Sequence, residues 1–142
     1  MRVFLDANIL VSVVNHEYPL FTYSSRLVSL AGSDRFRIYT SPLCLAIAFY
    51  FAEKKTNAKV AKEKISALAR HITIAGTSEN AVMRAVNNPS VEDFEDGLQY
   101  YSAVENNCDC IVTEDVGDYY FSTIEVLKSR DFFDKYMIKV KK

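Results

Sequence analysis

Met1-Arg2-Val3-Phe4-Leu5-Asp6-Ala7-Asn8-Ile9-Leu10 is the stretch that decides the fold. Met1 to Leu5 is apolar with little alternation, as expected of a strand buried on both faces in a parallel sheet. The run ends on a carboxylate. An acid at the end of a buried strand is desolvated unless a cation or strong donors meet it, which singles out Asp6. Its alternative role is to cap the helical turn beginning near Ile9.

Working outward, the pattern predicts a helix from about Tyr18 to Leu30, stopping at Gly32, and a short strand over Phe36–Thr40. Ser41 reads as an N-cap with Pro42 at the first helical position, opening a helix to about Lys54. Asn57 to Arg70 reads as another helix, with Val60, Ile65 and Leu68 inward. Ile72–Ala75 is a strand candidate, and Thr77 or Ser78 caps a short helix ending before Pro89. Ser90-Val91-Glu92-Asp93 resembles a capping box at the start of a helix reaching about Asn106. Cys110–Thr113 is a short strand, followed by the polar loop Glu114–Asp118. Val126-Leu127 forms a last strand, and Ser129 caps a terminal helix. Strands alternating with helices predict an α/β fold in three layers, α/β/α, around a central, mostly parallel sheet. Ligands of such sheets bind at the carboxyl ends of the strands, and that rule places Asp6 and Asp115 at the same edge. With 142 residues, 49% apolar, and no linker or repeat, the chain reads as a single domain over 1–142.

No run approaches the ~18 apolar residues of a membrane span, and the acid at Asp6 interrupts any signal-peptide core. Three cysteines argue against a disulfide framework, and Cys44 and Cys110 read as small core residues. A soluble, cytoplasmic protein is expected. His16 and His71 lie in no metal-ligand spacing, which disfavours a histidine general base. There is no glycine-rich phosphate loop and no nucleophile elbow. Tyr100 and Tyr101 read as core residues, with base stacking as the alternative.

The net charge of −1 conceals a strong asymmetry. Glu92 to Glu125 holds ten acids and no Lys or Arg, so the rest of the chain carries +9. Glu53 to Arg70 is biased the other way, with Lys54, Lys55, Lys59, Lys62, Lys64 and Arg70 against two acids. Lys135, Lys139, Lys141 and Lys142 make the C-terminus basic. Clustered carboxylates repel one another unless a cation holds them. Acids beside a basic flank suit a metal-dependent enzyme that acts on a polyanion. The acids form three groups: Asp6, the run Glu92-Asp93-Phe94-Glu95-Asp96, and Glu114-Asp115-Val116-Gly117-Asp118. Such oxygen ligands suit Mg²⁺ or Mn²⁺. Acids in a first helical turn also favour the dipole, which is the bland role for Glu92 and Asp93.

Taken together, these residues resemble the PIN-domain family. Asp6-Ala7-Asn8-Ile9-Leu10 is similar to its opening, Ser41-Pro42-Leu43 to its strand-to-helix transition, and Ser90 to Tyr100 to its second acidic helix. Ile111-Val112-Thr113, with Asp115 and Asp118-Tyr119, is similar to its last strand and acidic loop. The resemblance implies an α/β/α fold and a Mg²⁺- or Mn²⁺-dependent endoribonuclease. Asp6, Asp96 and Asp115 would be the catalytic, metal-binding acids and Asp118 an auxiliary ligand, with Asn8, Asp93 and Thr113 in support. It also implies a toxin–antitoxin setting, an antitoxin-like protein partner and a homodimer. Lys54, Lys55, Lys59 and Lys62 would guide single-stranded RNA.

The chain departs from the family in one respect. A Glu is usual in the helix opened by Ser41-Pro42, near Ala46, Ile47 or Ala48, and none stands there. Glu53 lies six residues past Ile47, about 9 Å along the axis and about 120° around it. The alternative function is therefore a weak or inactive PIN-fold module that binds RNA or a protein. A third reading, phosphoryl transfer through Asp6 as nucleophile, ranks below both.

Overall fold

The computed structural model describes residues 1–137, so Lys139, Lys141 and Lys142 of the basic C-terminus lie outside the described residues. Five strands, β1 (Arg2–Leu5), β2 (Arg37–Thr40), β3 (Thr73–Ile74), β4 (Cys110–Val112) and β5 (Glu125–Leu127), form one sheet in the order β3-β2-β1-β4-β5. Every pairing is parallel. The helices are α1 (Ala7–Val14), α2 (Phe21–Ser29), α3 (Pro42–Lys55), α4 (Ala58–His71), α5 (Glu79–Asn87), α6 (Phe94–Glu105) and α7 (Ser129–Tyr136). From β1 to β3 the chain advances toward one edge, and it then crosses back past β1 to β4. Right-handed crossovers therefore put α1–α4 on one face and α5–α6 on the other. Consistent with this, α3 packs on α1 and α4, and α5 packs on α6.

The core follows from the strand sequences. Val3, Phe4 and Leu5 of β1 and Ile111 and Val112 of β4 are wholly buried, as central strands of a doubly covered sheet require. Cys44 and Cys110 are buried free thiols in this core, in keeping with their composition-based reading. Tyr100 and Tyr101 are core residues. Gly97 lies where α6 meets α5: a Cβ there would stand 2.7 Å from Val91 Cγ1 and 3.2 Å from the Ala85 Cβ.

Local capping explains several boundaries. Ser41 Oγ accepts the Cys44 amide at 3.1 Å, with Pro42 opening α3, and Ser78 Oγ does the same for α5 through the Ala81 amide at 3.0 Å. Two expectations are corrected. The start of α6 is capped by Asp93 rather than Ser90, because the Asp93 carboxylate accepts both the Glu95 and Asp96 amides. Asn88 Oδ1 accepts the Ser90 amide, and its carbonyl accepts that of Val91, which holds those residues in a turn. Ser129 is the first residue of α7, not its cap: its amide and hydroxyl both donate to Glu114, each at 3.0 Å. Among the described residues, no helix is long and apolar enough to cross a membrane.

Candidate active site

In the order β3-β2-β1-β4-β5, the direction of strand succession reverses between β1 and β4. A doubly wound sheet opens its crevice beyond the strand ends at such a point. The register pairs Leu5 with Val112, so the residues just past each strand, Asp6 and Thr113, stand side by side. Asp6 caps α1, its Oδ1 accepting the Ala7 amide at 2.8 Å, and its backbone amide extends the β1–β4 ladder to the Val112 carbonyl at 3.0 Å. The capping role and the strand-end position thus fall on one residue. Asp6 is only 9% exposed, and burial raises its pKa above the usual carboxylate range despite the hydrogen bonds it accepts.

Thr113 ties the site together. Its wholly buried hydroxyl donates to Asp6 Oδ2 at 2.9 Å. It accepts the Asn8 side-chain amide at 3.0 Å and the Asp115 backbone amide at 3.1 Å. Asn8 Nδ2 also donates to Asp115 Oδ2 at 3.2 Å, and Asn8 Oδ1 accepts the Glu114 amide at 3.2 Å. The loop after β4 is thereby fastened to the first turn of α1. Beside Asp6 lie the Cys44 thiol, with Sγ 3.9 Å from Oδ1, and the buried Tyr119. Burial, and then the Asp6 charge, push the Cys44 thiol up to about 12.

Asp6, Asp96, Asp115, Asp118 and Asp93 line a single cleft of 460 Å³. Asn8 also lines it, while Thr113 lies beneath and orients the acids. Glu17, Glu95 and Glu114 join them, and no Lys or Arg lines the cleft. Sequence reading did not single out Glu17, and no spacing signal marks it. Glu95 and Glu114 lay within acidic runs, but Glu114 is engaged by Ser129. Asp96 registers the crowding: burial, followed by the charges of Asp93, Asp118, Asp6 and Glu95, pushes its pKa up to about 7. Burial, then Asp93 and Asp6, likewise raise Glu95.

The donor set is hard, anionic and uncompensated, and so fits a divalent cation of the Mg²⁺ or Mn²⁺ type. Among the described residues, no three of these side chains are closed into a ready ligand cage. Ile47 lines the cleft on the helix where a Glu is usual, while Ala46 is exposed and Ala48 wholly buried. Glu53 lies outside the cleft lining. Lys54, Lys55, Lys59 and Lys62 are exposed on α3 and α4, and none of them lines the cleft.

Comparison with known proteins bears on the family and the fold. The chain is 25% identical over 139 residues to Ribonuclease VapC1 of Aquifex aeolicus (strain VF5), covering 95% of each chain. Its fold is similar to VapBC2 from Rickettsia felis, solved bound to a DNA fragment from their promoter, with a TM-score of 0.68, 19% identity, and coverage of 90% of this chain and 98% of that one. It is also similar to Mycobacterium tuberculosis VapC20, a sarcin–ricin loop cleaving toxin, with a TM-score of 0.64, 14% identity, and coverage of 87% and 98%. A sequence profile described as PIN domain matches residues 2–117, most of the chain, and on that match the chain belongs to the PIN-domain family.

Proposed function

We propose that the chain is a divalent-metal-dependent endoribonuclease and the toxin half of a toxin–antitoxin pair. The observation that carries this reading is the convergence of Asp6, Asp96, Asp115 and Asp118 on one cleft with no basic residue in its lining. A Mg²⁺ or Mn²⁺ ion held by Asp6, Asp96 and Asp115, with Asp118 beside them, would supply an activated water and neutralise charge at a phosphodiester. The chain's own groups set the stage. Thr113 and the Ala7 amide fix the Asp6 carboxylate, leaving lone pairs on both oxygens. Asn8 holds Asp115 through Oδ2, and the Asp93 cap fixes the turn that presents Asp96.

The ribonuclease relative and the VapBC2 structure support the activity and a protein partner. A second cavity, of 680 Å³, is consistent with such a partner: Val13, Val28 and Leu68 give it an apolar floor, and Arg70 and His71 lie in its lining. The test of the activity is hydrolysis of single-stranded RNA with Mn²⁺ by the unaltered chain and by Asp6→Asn. Cleavage by the former alone is expected, and equal cleavage by both refutes the assignment. The lack of a Glu near Ala46, Ile47 or Ala48, of which Ile47 lines the cleft, motivates the second reading, a PIN-fold module that binds without cutting. Mn²⁺ and RNA binding without turnover would favour it.

A further inference from the structure

The cleft that gathers the acids is not acidic throughout. Val11 of α1, Leu20 of the following loop, and Ile47 and Phe51 of α3 share its lining with the carboxylates. Phe51 is the aromatic member, and it is 42% exposed although it belongs to a helix packed on α1. Cys44, Ile47 and Phe51 follow one another at helical spacing, so they form a single stripe along α3. Cys44 stands against Asp6 at 3.9 Å, and Phe51 lies two turns further on, about 10 Å along the axis. The backbone there is pinned: the Asn15 side-chain amide donates to the Phe51 carbonyl at 3.3 Å. Beyond Phe51 the surface continues as an aromatic and then a cationic step. Tyr50 meets Phe51 edge to face, with centroids 5.3 Å apart, and Lys54 Nζ sits 4.7 Å from the Tyr50 centroid.

A ligand that enters this cleft meets anionic oxygens and a solvent-open aromatic ring in one lining. No cation in the lining grips a phosphate between them. An exposed ring in such a place binds a flat π-system, and a nucleobase is the π-system a phosphodiester carries with it. We propose that Phe51 is a base-stacking, substrate-binding residue: single-stranded RNA with a phosphate at the Asp6–Asp96–Asp115 cluster lays a neighbouring base on the Phe51 ring, and the backbone leaves past Tyr50 toward Lys54. This rests on the nuclease reading above and adds to it that recognition beside the cleaved bond acts through a base rather than through charge.

The chain contains no Trp, so F51W carries a single indole at the proposed stack. The experiment compares a short single-stranded RNA of mixed sequence with an abasic ribose–phosphate oligomer of equal length, using Ca²⁺ in place of Mn²⁺. Affinity is read by anisotropy of a labelled oligomer, and stacking by quenching of the F51W emission. RNA should quench F51W and the abasic oligomer should not. Phe51→Ala should weaken RNA binding by between about 5-fold and about 100-fold, the effect of one lost base–aromatic stack, and leave the abasic oligomer unaffected. F51W should restore the affinity and Phe51→Leu should not. If Phe51→Ala binds RNA as tightly as the unaltered chain, or if both oligomers change the F51W emission equally, the assignment is overturned. Failure of the unaltered chain to bind either oligomer would instead refute the nuclease reading, and this inference with it.

Discussion

Replacing Thr113 by Val tests whether the site depends on a single buried hydroxyl. The shapes are nearly equal, so the change removes the hydrogen bonds of Oγ1 while the neighbouring packing is kept. The bond to Asp6 Oδ2, at 2.9 Å and fully buried, is the costly loss, because it leaves a desolvated carboxylate with one donor fewer. A hydrogen bond to a charged group contributes about 1.5–3 kcal/mol. The other two losses are small: Asn8 Nδ2 keeps its bond to Asp115 Oδ2, and the Asp115 amide lies on a loop that water reaches. A destabilisation of about 2–3 kcal/mol follows, a fall in Tm of about 6–10 °C for a chain of this size. Misplacing Asp6 and Asp115 together should also weaken Mn²⁺ binding by about 10- to 100-fold, the usual cost of losing a group that orients a metal ligand. Thr113→Ser keeps the hydroxyl and loses one methyl, at about 1 kcal/mol, and should retain the metal affinity. Thermal unfolding and calorimetric Mn²⁺ titration of the three proteins decide the matter. A folded Thr113→Val protein that binds Mn²⁺ as tightly as Thr113→Ser would show that the hydroxyl does not organise the site.

Asp96 has a pKa of about 7 in the folded chain against 3.8 for the free side chain, so between those values the folded state holds a proton that the unfolded state releases. Stability in metal-free buffer should therefore fall as pH rises from about 4 to about 7, and Asp96→Asn should raise Tm at pH 8 but not at pH 4. Because Asp96 is partly exposed, the gain is on the order of 1 kcal/mol rather than the full shift. Unchanged Tm values at pH 8 would contradict the crowding of carboxylates. Gly97→Ala should cost about 1 kcal/mol in denaturant unfolding, since the contacts at 2.7 Å to Val91 and 3.2 Å to Ala85 outweigh the helix-propensity gain. Ile47→Glu should strengthen Mn²⁺ binding on the order of tenfold by adding a carboxylate to the cleft lining, as read by calorimetry.

The parts of the molecule legible in the sequence were those in which a local pattern and a long-range role coincide. Asp6 stood out because an apolar run ends on it, and the β1–β4 register then sets it beside Thr113. Ser41-Pro42 marked the start of α3 because a hydroxyl cap and a proline at the first position act within three residues. The errors arose where partners lie far apart. Ser129 resembles a cap, but its amide and hydroxyl are taken by Glu114 across the fold, a bond no local window contains. At the start of α6, Ser90 opens a capping-box pattern, but its amide is taken by the turn at Asn88 and Asp93 caps the helix instead. Glu17 lies just past the end of α1, away from the acidic runs, and reaches the cleft only through the path of the loop. The lysines of α3 and α4 were legible as a basic stretch, and helix phase turns them to solvent outside the cleft, as a flank would be.

The bond between Asp6 and Thr113 spans 107 positions of the chain. Asp6 follows β1 and Thr113 follows β4, so the carboxylate meets its orienting hydroxyl only once the crossover from β3 to β4 has been made. A nascent chain that has not yet reached β4 therefore has neither Thr113 nor Asp115 to set beside Asp6. A fragment that ends between α6 and β4 keeps Asp6 and Asp96 but lacks Thr113, Asp115 and Asp118.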